Sequence, residues 1–277
     1  MIDLAPNNPY ALTIASPVIA AAGSLGYGVE VARHLGLAAR PSAHGLGALI
    51  TRSTGLRARK ARPLPEIVET PAGLLYRGWD HSLGMRAVRE RLAPAWATWD
   101  LPVVVSIWGE SAAAAAEAAA QLEGVEGVAG VELPLAAHDA LTPEAAGRLV
   151  AAVRRATVLP LIVKLPGQAA DILALARAAV ERGADTLSLI DGIPALAQRA
   201  DGTLADGLLC GPAVGPLALG LVAAVCAEAT VPVIGIGGVR DAAGARAMLA
   251  AGAAAVGLGS ALLTDLRAAA RVAAALA

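Results

Sequence analysis

Residues 233–260 read VIGIGGVRDAAGARAMLAAGAAAVGLGS. Two short apolar runs, Val233–Ile236 and Ala254–Leu258, each end in a glycine turn. An alanine-rich segment of helical character, near 240–251, lies between them, and Asp241 stands where it can cap that helix. A short continuous apolar run bounded by glycine is the pattern of a strand buried on both faces. Strand, helix and strand in this order form one βαβ unit, so the two strands are expected to lie parallel.

The same unit recurs upstream. Strands are predicted at Val18–Ala21, Ala48–Thr51, Val103–Ile107, Gly130–Leu133, Leu161–Lys164 and Thr186–Ile190. Helices are predicted near 29–37, 84–97, 110–122, 142–156, 169–182 and 215–228, with a last one near 264–276. Thr142-Pro143-Glu144 supplies an N-cap, a proline at the first helical position and an early acid. Strict alternation of strand and helix implies a parallel sheet, and eight such pairs close a (β/α)8, or TIM, barrel. A doubly wound open sheet is the competing arrangement. The barrel reading makes residues 1–277 one domain, with long loops after strands two and six, Arg52–Leu83 and Asp191–Cys210. Both loops follow a strand, which puts them at the C-terminal face where barrel active sites are built.

Composition agrees with a buried-core protein. Of 277 residues, 56% are hydrophobic and 16% charged, and there is no Phe, so the core is expected to be aliphatic and alanine-rich. Lys+Arg number 22 against 23 Asp+Glu, a balance that argues against a nucleic-acid surface. Two cysteines, Cys210 and Cys226, are too few for a disulfide framework, and a reduced cytoplasmic setting is expected. The opening MIDLAPNNPY lacks the basic-then-apolar pattern of a signal peptide. The charge-free run between Arg246 and Asp265 is broken by a strand and a glycine turn, so no membrane span is expected.

Three features carry chemistry. The glycine turns Gly235-Ile236-Gly237-Gly238-Val239 and Gly257-Leu258-Gly259-Ser260 follow the last two strands, where barrels commonly bind phosphate. Lys164 is one of only two lysines, with Lys60, and ends a buried strand pointing into the barrel mouth. It suits an electrostatic role beside a flavin, a Schiff-base role, or a plain strand-end position. Ala20-Ala21-Ala22-Gly23-Ser24, after the first strand, is small enough for a flat ring to lie against backbone, or is simply a tight turn. Arg57, Arg59, Lys60 and Arg62 form a basic cluster on the first long loop. Trp96 and Trp99 are expected against the outer helices or a subunit partner, Trp108 near the pocket, and Cys210 in a turn.

The segment 16–28 (SPVIAAAGSLGYG), Val163-Lys164-Leu165-Pro166, Cys210-Gly211-Pro212-Ala213 and the two glycine turns resemble, in order, motifs of the dihydroorotate dehydrogenase family. Pro63-Leu64-Pro65 and Glu69-Thr70 are similar to that family's loop after strand two. The resemblance implies a barrel holding FMN at its C-terminal face. Ala21, Ala22, Gly23 and Arg52 would lie along the cofactor. Lys164 would stand at the N1/O2 side of the ring, with Gly211 nearby and Gly237, Gly238, Gly259 and Ser260 at the phosphate.

Departures from the family pattern set a second expectation. Ala137 occupies the position of the family's Cys or Ser base. Pro134, Asp139, Tyr76 and Asp191 stand where substrate-binding asparagines are expected, and Arg52 replaces a lysine. His138 and Asp139 are the first candidates for a replacement base, with Asp191 a third and Tyr76 or Tyr27 as donors. The reading that follows is an FMN-dependent oxidoreductase that passes a hydride from a small organic substrate other than dihydroorotate. A homodimer and an electron-transfer partner subunit accompany it, since no cysteine cluster for an iron–sulfur centre is present. The alternatives are a catalytically degenerate flavin-binding subunit and a Schiff-base lyase using Lys164.

Overall fold

A computed structural model describes residues 1–38, 44–60, 67–76, 81–138 and 142–277. Eight parallel strands close a barrel in chain order: Val18–Ala20, Ala48–Ile50, Val103–Ser106, Gly130–Pro134, Leu161–Lys164, Thr186–Leu189, Val233–Ile236 and Ala255–Leu258. The eighth pairs back onto the first through Val256 opposite Val18 and Leu258 opposite Ala20. The predicted strands are all present, with ends moved by a residue or so, and the open-sheet alternative is excluded by this closure.

Alternation within each strand divides the core in two. One set of side chains, including Val105, Val131, Leu133, Val163 and Leu187, points outward and packs under the helices. The other set, including Ile19, Ile50, Val104, Ile162 and Ile234, fills the barrel. An antiparallel pair, Ile2–Asp3 with Thr13–Ile14, brings Leu4, Leu12 and Ile14 into that interior cluster. The interior changes character toward the C-terminal ends of the strands, where Ser106, Glu132, Lys164 and Ser188 are all buried.

Capping residues start several helices as their chemistry dictates. The Thr142 hydroxyl accepts from Ala145 N–H at 3.3 Å and Asp241 accepts from Gly244 N–H at 2.9 Å. The helix expected near 29–37 is reduced to Ala32–Leu35, closed by Gly36 at φ 64°. The last predicted helix is two, Ser260–Thr264 and Ala268–Leu276.

The two long loops after strands two and six carry strands of their own among the described residues. Ile67–Thr70 and Gly73–Tyr76 form one hairpin, and Ile193–Gln198 and Leu204–Cys210 form another. The two hairpins join through Leu208 opposite Tyr76 and Cys210 opposite Leu74, giving one four-stranded antiparallel sheet. Cys210 therefore ends a strand rather than sitting in a turn. Val68, Leu75 and Ala205 form a small core of their own on this sheet.

Candidate functional site

The C-terminal strand ends and the four-stranded sheet enclose a cavity of about 420 Å³, within the usual size of a small-ligand site. Strand alternation decides its floor. Lys164, two residues after the inward Ile162, turns into the barrel and is 5% exposed. Its Nζ lies 3.4 Å from Asp191 Oδ1. Burial alone would draw the ammonium pKa down, but the Asp191 and Glu132 carboxyls more than offset that and hold it above the ordinary lysine value. Glu132 is fully buried beside it, and burial raises its carboxyl pKa against the opposing pull of Lys164. Burial also pushes the nearby Cys210 thiol up to about 12, so it is no nucleophile at neutral pH.

The rim is set by the strand-to-helix turns. After the first strand, Ala21, Ala22 and Gly23 line the cavity, and the Ser24 hydroxyl donates to Ala21 O at 2.7 Å to lock the turn. Gly23 has φ 74°, and a side chain there would lie 3.7 Å from the Tyr76 hydroxyl oxygen. Arg52 and Ser53 follow the second strand, and Arg52 Nη1 is 3.1 Å from His81 Nδ1. A guanidinium only donates, so His81 Nδ1 is the acceptor in that contact. Arg59 stacks 3.6 Å over the Trp108 ring and reaches Glu110 at 3.3 Å. Trp108 in turn donates from Nε1 to Ala137 O at 3.0 Å.

The glycine turns meet the same cavity at its far side, where Gly211, Gly237, Gly238, Gly259 and Ser260 line it. Gly237 and Gly238 are required first by packing. A Cβ on Gly237 would stand 2.5 Å from Ala218 Cβ, and one on Gly238 2.4 Å from Gly215 Cα. Gly259 differs, because a Cβ there would meet no protein atom within 4 Å. It keeps open a space that any side chain would begin to fill.

Ala21, Ala22, Gly23, Arg52, Tyr76, Lys164, Asp191, Gly211, Gly237, Gly238, Gly259 and Ser260 therefore surround one volume, although they span 240 positions of chain by number alone. Asp139 lies outside the described residues, as do Arg62 and Pro63-Leu64-Pro65. His138 is held by backbone groups. Its Nε2 accepts from Gly109 N–H at 3.1 Å and its Nδ1 is 2.9 Å from Pro134 O, a pure acceptor. Both nitrogens are committed to backbone and the residue is not among those lining the cavity, which speaks against a role as base. Glu132, Ser53 and Asp206 line the cavity and went unread in the sequence. For Glu132 the signal was present: its neighbours Val131 and Leu133 face the helices, which leaves Glu132 facing in.

Among the described residues, no group of three or more His, Cys, Asp or Glu could hold a metal ion, and no helix is long and apolar enough to cross a membrane. A family model described as dihydroorotate dehydrogenase matches residues 7–277. Three similar curated proteins each bear the name dihydroorotate dehydrogenase B (NAD(+)), catalytic subunit. That of Citrifermentans bemidjiense is 35% identical over 271 residues, covering 93% of this chain and 87% of the relative. That of Desulforudis audaxviator is 38% identical over 276 residues, covering 95% and 88%. That of Geobacter sulfurreducens is 37% identical over 276 residues, with the same coverage.

Proposed function

The chain belongs to the dihydroorotate dehydrogenase family, and from that premise we propose an FMN-dependent oxidoreductase that acts on a CH–CH bond of a small organic substrate. The observation that carries the reading is the single cavity shared by a buried ammonium, small residues after the first strand, and the glycine turns after the last two. The residues fit the cofactor. Gly259 leaves space unfilled, Gly237, Gly238 and Ser260 adjoin it, and Lys164 offers positive charge from the floor. When bound, FMN supplies a two-electron carrier for hydride.

The chain's own groups would divide the remaining work. Gly237, Gly238, Gly259 and Ser260 hold the phosphate through backbone N–H and hydroxyl donors. Ala21, Ala22 and Gly23 bound the ring, with Arg52 beside them, its guanidinium contacting His81. Lys164, kept charged by Asp191, would offer its ammonium to the bound ring. The sheet carrying Tyr76, Leu208 and Pro194 covers the mouth and keeps water from the reacting atoms.

The substrate is not dihydroorotate in this reading. Pro134, Ala136 and Ala137 line the cavity and offer no side-chain polar atom. Asp191 adds a carboxylate, which repels an anionic substrate. A site lacking the amides that pair with a polar substrate rejects it steeply. The relatives' names as catalytic subunits support a separate electron-transfer subunit for this chain too, and the chain is expected to form a dimer.

The lyase reading loses support because the Asp191 carboxylate, 3.4 Å away, keeps Lys164 protonated, whereas Schiff-base formation needs the free amine. The degenerate-subunit reading draws on Ala137 and on the occupied nitrogens of His138. Anaerobic mixing of the FMN-loaded protein with dihydroorotate separates the possibilities. No bleaching of the flavin absorbance is expected, while bleaching by a neutral donor with a saturated CH–CH bond is. Rapid bleaching by dihydroorotate would overturn the substrate assignment, and a chain that takes up no FMN would overturn the whole reading.

A further inference from the structure

One ammonium and two carboxyls share the floor of the cavity. Lys164 Nζ is 3.4 Å from Asp191 Oδ1, and Asp191 retains 25% side-chain exposure. Glu132 retains none. Its Oε2 is 3.5 Å from Ser188 Oγ, the Ser106 hydroxyl faces it from the neighbouring strand, and its Oε1 has no hydrogen-bond partner among the described residues. One positive charge cannot compensate two carboxylates in a medium of low dielectric. The proton settles on the carboxyl with the least access to water, and that carboxyl is Glu132. The groups that face it are Lys164 from the fifth barrel strand, Asp191 beyond the sixth, and the hydroxyls of Ser106 and Ser188. Burial and Asp191 both favour its neutral form, and Lys164 and the hydroxyls oppose them.

A path leads outward from this group. Ser106 Oγ lies 2.9 Å from Ser53 Oγ, and Ser53 lines the cavity next to Arg52. We propose that Glu132 is stored as a neutral carboxylic acid and supplies its proton to the cavity through Ser106 and Ser53. The inference rests on the flavoenzyme reading only for the identity of what receives the proton, a basic atom of a bound substrate. The transfer balances without any change in electrons. The Ser53 hydroxyl proton passes to the basic atom, the Ser106 proton to Ser53 oxygen, and the Glu132 proton to Ser106 oxygen. The carboxylate left behind is stabilised by the Lys164 ammonium, and the reverse sequence reloads it. Glu132 touches no substrate itself and acts through the two serines.

Infrared spectroscopy of the purified chain tests the store directly. With glutamate labelled with carbon-13, the wild-type chain is expected to show the carbonyl stretch of a neutral carboxylic acid at neutral pH. Glu132→Gln should remove that band. Asp191→Asn should also remove it, because Lys164 is then released to pair with Glu132, which ionises. A purely structural Glu132 would not answer to Asp191 in this way, and a band unchanged in Asp191→Asn overturns the proposal. Absence of the band in the wild type does the same. Should Glu132→Gln fail to fold, the labelled wild type and Asp191→Asn carry the test alone. The path is read from the same band after transfer to heavy water: Ser53→Ala should slow its isotope shift by roughly tenfold or more. An unaltered exchange rate removes the serine relay. None of these measurements needs flavin, so their failure is distinct from failure to bind FMN.

Discussion

Glu132 has a measurable thermodynamic signature because its folded and unfolded forms differ in proton affinity. Its ordinary pKa is 4.5, and burial raises it in the folded chain. Above that value the unfolded chain has released the proton and the folded chain has not. Folding is therefore disfavoured progressively as pH rises from about 4.5 toward the folded pKa, by about 1.4 kcal/mol per unit. Glu132→Gln carries no such penalty. In chemical denaturation its stability relative to wild type should grow through that window and then level off, and a difference independent of pH would contradict the buried neutral acid. Lys164→Met tests the opposite partner. It leaves the partly exposed Asp191 carboxylate without its counter-charge and should destabilise the chain, by less than the roughly 3–5 kcal/mol of a broken fully buried pair. A third residue, Cys210, should resist alkylation at pH 8 in the native chain, since its thiol titrates near 12, and fast modification would show a more open site. Lys164 was legible because a lysine is rare in this chain. Glu132, Ser106 and Ser188 were hidden within runs read as uniformly buried. The apolar length of each run marks a buried strand, and only alternation along it marks which residues turn inward.

At the level of elements, the four-stranded sheet shows where local pattern stops informing. Ile193–Gln198 alternates half-buried and exposed side chains along its whole length, the period of a strand with one covered face. That signal lay in the chain, but the strand to which its hairpin is joined, Gly73–Tyr76, pairs with Leu204–Cys210 from more than a hundred positions away by number. Nothing local announces such a pairing. The junction depends on two glycines. A Cβ on Gly73 would fall 2.1 Å from Cys210 O, and one on Gly211, at φ 98°, 2.9 Å from Gly73 Cα. Gly73→Ala should part the two hairpins while the barrel persists. The expected result is new protease cleavage within 67–76 and 193–210 and weaker FMN binding, with the thermal transition of the barrel little changed. Undisturbed protection of both segments would mean that the sheet is not held at this point. The helix caps at Thr142 and Asp241, by contrast, were legible because a cap is settled by residues within one turn.

For the whole molecule, closure of the barrel was readable from rhythm alone, since eight parallel strands separated by helices leave few ways to bury both faces of a sheet. The cover at the other end was not. Leu4, Leu12 and Ile14 are almost wholly buried against the barrel interior, though the segment looked like an unremarkable start. Leu12→Ala should lower stability by about 2–5 kcal/mol without altering ligand binding at the opposite face, and calorimetry with a parallel flavin titration would check both halves. The site itself was read in outline, because glycine turns after the last strands have a fixed place in a barrel. Its floor of paired charges appears only when the strands are brought together. The most direct measurement is a fluorescence titration of the cofactor-free protein with FMN and with riboflavin. The account predicts one FMN bound per chain and riboflavin weaker by at least about tenfold, the equivalent of about 1.4 kcal/mol held by the phosphate. Equal affinities, or no binding of either, would contradict it.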